Sequence, residues 1–117
     1  MIYYEFSKAE KNIARPLLEK GLQKEFQHGL EMFESILKEW RKNYSDNRET
    51  YHALYKSMET FDKHIGLRYD RMGGSKWAFI IAQQLRDGII SREDIAPFSP
   101  ASQKFILIMS GIDVEQL

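Results

Sequence analysis

Three groups of residues in this 117-residue sequence have types and spacing that could do chemistry. The first is the run Arg68-Tyr69-Asp70-Arg71-Met72-Gly73-Gly74-Ser75-Lys76-Trp77. Two glycines just ahead of a helix start leave backbone N–H groups directed outward, where the helix dipole also favours an anion. Arg68, Arg71 and Lys76 stand close enough in sequence to converge on a phosphate or carboxylate, and Trp77 offers a face for a nucleotide base. The run lacks the Gly-x-x-x-x-Gly-Lys-Ser/Thr spacing of a P-loop, and no strand precedes it. A simpler reading of the same residues carries more weight. Gly73 and Gly74 end one helix, Ser75 caps the next, and Trp77 is core.

The second group centres on Asp62, which falls within the apolar stripe of a helix, one turn from Met58 and Ile65. A carboxylate buried there has to be paired or hydrogen-bonded, because burying it alone is very costly. Either it is a satisfied structural acid, or it is the polar group of a small pocket between helices lined by Tyr51, Tyr55 and Tyr69. Bundle interiors do hold ligands in that way, and a pocket at Asp62, Tyr55 and Tyr69 is the one place where an enzyme reading finds support.

The third group is the histidines, His28, His52 and His64, with Glu31, Glu59 and Asp62 as co-ligands. Di-metal bundles use Glu-x-x-His on inward faces, whereas His28-x-x-Glu31 runs in the reverse order. His52 and His64 are about 120° apart on one helix, so one ion does not recruit both. No metal site is expected. Asp87 to Asp94 resembles the back half of a calcium loop, but a front ligand position falls on Leu85, and the segment reads as a helix-end turn. No nucleophile motif or convergent carboxylate pair can be argued from spacing, which leaves no reaction to name and no cofactor to expect.

These residues ride on elements that the apolar spacing makes plain. Leu22, Phe26, Leu30, Phe33, Leu37, Trp40 and Tyr44 recur at steps of three and four, as do Tyr51, Leu54, Met58, Phe61, Ile65 and Tyr69. Both sets fall on one stripe of an α-helix, and no period of two fits either. Tyr44 to Asn47 is a turn in which Asp46 caps the second helix with Glu49 as its box partner. So short a connection makes the two arms an antiparallel hairpin spanning residues 22–69, with the second arm continuing to about Met72. Gly29 inside the stripe marks the close approach of a neighbouring helix.

Ser7 with Glu10 starts a helix at Lys8, and Pro16 is expected to break it near Arg15. A straight helix would turn Ile13 and Leu17 away from the seam that Leu22 begins. A third helix, Lys76 to Asp87, is apolar almost all round and therefore central. Gly88 closes it, Ser91-Arg92-Glu93-Asp94 makes a single turn, and Ser99-Pro100 opens a last helix that Gly111 ends. Five successive apolar residues, Phe105 to Met109, would also suit a buried strand, but the start signal and length favour helix. Residues 1–6 are either a short strand or an arm packed on the bundle, and residues 112–117 a loose tail.

The whole is expected to be one all-α domain over residues 1–117, a helical bundle built on the hairpin with two to three shorter helices packed on it. Seventeen Lys and Arg balance seventeen Asp and Glu, so the overall field gives nucleic acid or an anionic membrane no reason to bind. The absence of cysteine fits a reducing compartment and removes thiol chemistry. The first six residues have no signal-peptide character, and apolar runs such as Trp77–Ala82 are far short of the roughly 20 residues that cross a bilayer. A soluble cytoplasmic protein is expected. The aromatic content of 13% exceeds what one small core needs. The reading that follows is a small helical interaction or regulatory module working through helix-face contacts with a protein partner or a second copy. The alternatives are a binder of an anion, nucleotide or RNA at Arg68–Trp77, and an enzyme at Asp62.

Overall fold

In a computed structural model the chain is an all-α bundle, and the structure describes residues 4–43, 46–70, 73 and 76–112. Four α-helices are found among the described residues: α1 (Lys8–Asn43), α2 (Asn47–Tyr69), α3 (Trp77–Arg86) and α4 (Pro100–Ser110). A single 3-10 turn, Arg92–Ile95, lies between the last two. The starts follow local capping chemistry. The Glu10 N–H donates to Ser7 Oγ at 3.1 Å, the Glu49 N–H to Asp46 Oδ1 at 3.0 Å, and the Ser102 N–H to Ser99 Oγ at 3.2 Å, each satisfying a donor that a helix start leaves free. Gly88 (φ 72°) and Gly111 (φ 76°) adopt the left-handed conformation just after α3 and at the end of α4. The expected cap Ser75 and the tail beyond Ile112 lie outside the described residues.

Pro16 does not break α1, which runs uninterrupted for 36 residues. Pro16 and Asn12 are both exposed, so the carbonyl that loses its N–H donor faces solvent, and the ring has room. Nor do Ile13 and Leu17 need a break to reach a core. The chain divides into two compact units, residues 1–23 with 71–117 and residues 24–70, and α1 supplies residues to both. Each stretch of the helix answers to its own unit.

The first unit holds a packed apolar core. Ala14, Leu17 and Leu18 of α1 are buried, as are Ile81 of α3, Ile95 of the 3-10 turn and Ile106 of α4. α3 buries six of its ten residues, in keeping with its nearly continuous apolar sequence, and packs closely on α4. Gly21 leaves the space that the Gln84 side chain fills, and the Gln84 amide donates to the Leu18 carbonyl at 3.3 Å. Residues 4–6 are an arm and not a strand. Phe6 stacks on Phe98 and Tyr4 on Phe105, with ring centroids 4.9 and 4.4 Å apart.

Two carboxylates tie this unit together. Burial pushes the Glu10 carboxyl up, but the Ser99 N–H and the Ser102 hydroxyl, both at 3.0 Å, more than offset it and hold the group below its usual range. Lys20, donating to Asp94 at 2.7 Å, and the Ser91 N–H at 2.8 Å hold the Asp94 carboxyl down as well.

The second unit is the hairpin of α2 with the remainder of α1. The Trp40 indole N–H donates to Asn47 Oδ1 at 2.8 Å beside the turn. Phe61 packs at the middle, its ring centroid 5.8 Å from Phe33 and 6.2 Å from Phe26. A Cβ on Gly29 would stand 2.6 Å from the Phe61 ring, so the expected close approach is real and its agent is an aromatic ring. Among the described residues, no apolar side chain of this unit is fully buried.

Candidate interaction surface

The seam of the hairpin is rotated from the stripe that apolar spacing alone suggests. Gly29 meets Phe61, and the residues turned inward on α1 are Glu25, Gly29, Phe33, Ile36 and Trp40. Phe26, Leu30 and Leu37, expected in the seam, are exposed on its flank. On α2, Leu54, Phe61, Ile65 and Tyr69 are half-buried as expected, while Tyr51 and Met58 are exposed. The reason is steric. Where a glycine faces an aromatic ring the helices come closest, so that pair defines the seam and bulkier neighbours are displaced from it.

Helical geometry then places the displaced residues. At about 100° per residue, Phe26, Leu30 and Leu37 lie about 60–100° from Gly29 in one rotational sense. Tyr51, Tyr55 and Met58 lie about 60–120° from Phe61 in the same sense. Because the two helices run in opposite directions, displacement in one sense on both brings residues to the same side of the hairpin. The opposite flank checks the rule. Glu25 and His64 are displaced the other way from the same two references, and they meet at 2.9 Å. One side of the hairpin therefore carries a largely apolar two-helix face, with Leu30, Tyr51 and Tyr55 exposed by 65%, 66% and 59%, and the exposed Asp62 carboxylate stands on the same side one turn beyond Met58, at the end of the row.

The other side carries a polar anchor that apolar periodicity does not reveal. Glu25 is buried, and its carboxylate accepts from Arg68 Nη1 at 2.6 Å, from His64 Nε2 and from the Tyr69 hydroxyl. The Arg68 side chain is nearly as buried as its partner, whereas His64 keeps close to half of its surface in solvent. A carboxylate with this many donors can be buried without an uncompensated charge. The sequence signal is its spacing, three residues after Leu22 and four before Gly29, with two cationic side chains and a tyrosine on the facing arm.

Asp62 is the counterpart that fails. It is exposed, as is Tyr55, and only Tyr69 of that expected group reaches a buried polar site, as a partner of Glu25. Phe61 takes the seam, which turns the next residue about 100° away toward solvent. The enzyme reading built on a buried Asp62 loses its basis.

The expected anion-binding run is divided between the units. Arg68 belongs to the hairpin and is engaged by Glu25. Gly73 and Lys76 are exposed in the other unit, where the Lys76 N–H donates to the Gly73 carbonyl at 2.9 Å. Trp77 is half-buried under the Arg15 guanidinium, 5.4 Å from its ring. Arg71, Gly74 and Ser75 lie outside the described residues. His28 and His52 are exposed, and among the described residues no three His, Cys, Asp or Glu side chains group to hold a metal ion.

No family model matches the chain, and no curated protein matches it in sequence. Among the described residues no helix is long and apolar enough to cross a membrane.

Proposed function

We propose that this chain is a protein-interaction module, regulatory rather than catalytic, that works through the apolar face of its hairpin. The observation that carries the reading is the exposure of Phe26, Leu30, Leu37, Tyr51, Tyr55 and Met58 on one side of two helices. Together they offer on the order of 600 Å² of apolar surface, at the upper end of what a monomer commonly shows in one patch. Tyr and Met suit such a role, the first as a rigid amphipathic contact and the second as an adaptable one. The lack of cysteine suits a cytoplasmic setting for the same module.

The test is site-specific photo-crosslinking in the native cell. A photoreactive phenylalanine analogue at Tyr55 should give protein adducts, and the same group at exposed Lys56, which points away from the face, should not. Equal yields of adduct at the two positions, or none at Tyr55, would sink the proposal.

A further inference from the structure

We infer that the occupant of this face is a second copy of the chain, so that two hairpins close face to face into a four-helix bundle; the inference rests on the interaction reading above. Three features favour a copy. The face is two helices wide, and a second hairpin presents a matching width that covers both apolar rows, where a lone helix would seat only in the groove between them. Its area, on the order of 600 Å² from six side chains, approaches the roughly 800 Å² per partner of a standard stable interface before any rim is counted. The charge also permits it. Residues 24–70 carry eight Lys and Arg against nine Asp and Glu, so two copies meet without net repulsion, and neither RNA nor an anionic bilayer is drawn to the same place.

A twofold pairing is isologous, meaning that each apolar row meets the same patch of its partner. The interface would then bury twelve large side chains, and the hairpin would gain the closed core that it lacks alone. Every substitution is present twice in such an interface, which sharpens the test.

Sedimentation equilibrium of the full chain, from low micromolar to hundreds of micromolar, should show a species of twice the 13.8 kDa chain mass. Leu30→Glu with Tyr55→Glu, at positions more than half exposed within one chain, should weaken association by about a hundredfold or more while circular dichroism keeps its helical signal. Tyr51→Glu is the milder variant should the pair not fold. Leu67→Glu is the control. Leu67 is the most exposed large apolar residue among the described residues but lies on the opposite side of α2 from Met58, and its replacement should leave the dimer intact.

A wild-type chain that stays monomeric throughout overturns the second-copy inference, as does a dimer that survives both face variants or one that Leu67→Glu dissolves equally. Co-flotation of a monomer with mixed phosphatidylcholine and phosphatidylglycerol vesicles would overturn it too. These outcomes separate from the photo-crosslinking result. An adduct at Tyr55 to a different protein, with a monomeric chain, would keep the interaction reading and discard the second copy.

Discussion

Gly29 is the position where the packing of the hairpin can be tested most sharply. An alanine Cβ there would stand 2.6 Å from Phe61 Cζ and 2.8 Å from both Cε atoms. Relaxed carbon–carbon contacts are about 3.5–4.0 Å, so the ring would have to withdraw by about 1 Å. The neighbouring rings leave little room for that: the Phe33 ring meets Phe61 edge-on and Phe26 lies tilted beside it. Overpacking of this kind costs about 1–3 kcal/mol. Against it stands helix propensity, since alanine in place of a mid-helix glycine contributes about 1 kcal/mol of stability. Gly29→Ala should therefore destabilise the chain by about 1 kcal/mol, a fall in Tm of about 4 °C for a chain of this length. In a Phe61→Ala background the clash is gone and the same change should stabilise by up to about 1 kcal/mol, which makes the coupling about 2 kcal/mol. Urea unfolding followed by circular dichroism at one fixed chain concentration reads both arms, the concentration being held because association would shift the midpoint. Stabilisation by Gly29→Ala in both backgrounds would refute the close contact and, with it, the seam from which the apolar face is derived.

Two further predictions concern carboxylates held by hydrogen bonds. Glu25→Ala removes one acceptor from the buried Arg68 guanidinium and should cost about 3 kcal/mol, whereas Glu25→Leu combined with Arg68→Met should cost much less, both read by urea midpoint. In the other unit, Glu10 and Asp94 have folded pKa values below their ordinary ones, so their stabilising contribution is complete above the unfolded pKa, about pH 4, and is lost as pH falls through the folded values. Thermal melts from neutral pH into acid should show that loss, and Glu10→Gln with Asp94→Asn should lower Tm at neutral pH and flatten the acid limb. An acid limb of unchanged steepness in the double variant would assign the sensitivity to other groups.

What was legible in the sequence was what local chemistry decides. Ser7, Asp46, Ser99-Pro100, Gly88 and Gly111 act within a turn of their own positions, and each does what its residue type predicts. The Phe105–Met109 run is helical because its start signal lies in the same stretch of chain. Pro16 misleads because a break is required only of a helix that faces one surface along its length, whereas α1 serves two units. The seam of the hairpin is misread for a related reason. A periodicity of apolar letters cannot register a glycine and a glutamate as the inward residues, yet Gly29 and Glu25 are the two most inward positions of that stretch. Asp62 and Glu25 exchange roles accordingly. Both are single carboxylates among apolar residues, and only the position of the facing donors distinguishes them.

The division of buried area within the chain bears directly on what the hairpin is for. The unit formed by α3, α4 and the start of α1 encloses fully buried Ile81, Ile95 and Ile106 and can supply most of the hydrophobic stabilisation. The hairpin cannot, since α2 has no buried residue and helices in proteins draw most of their stability from a packed face. What the hairpin has instead are devices that set geometry: the Gly29–Phe61 contact, the Asp46 cap, and the Glu25 cluster, a buried ion pair of the kind that contributes little net stability. Such devices align two helices without consuming their apolar surface. The large side chains that would close a core in a self-sufficient bundle are left exposed on one face, and burying them would release free energy that the lone chain does not use.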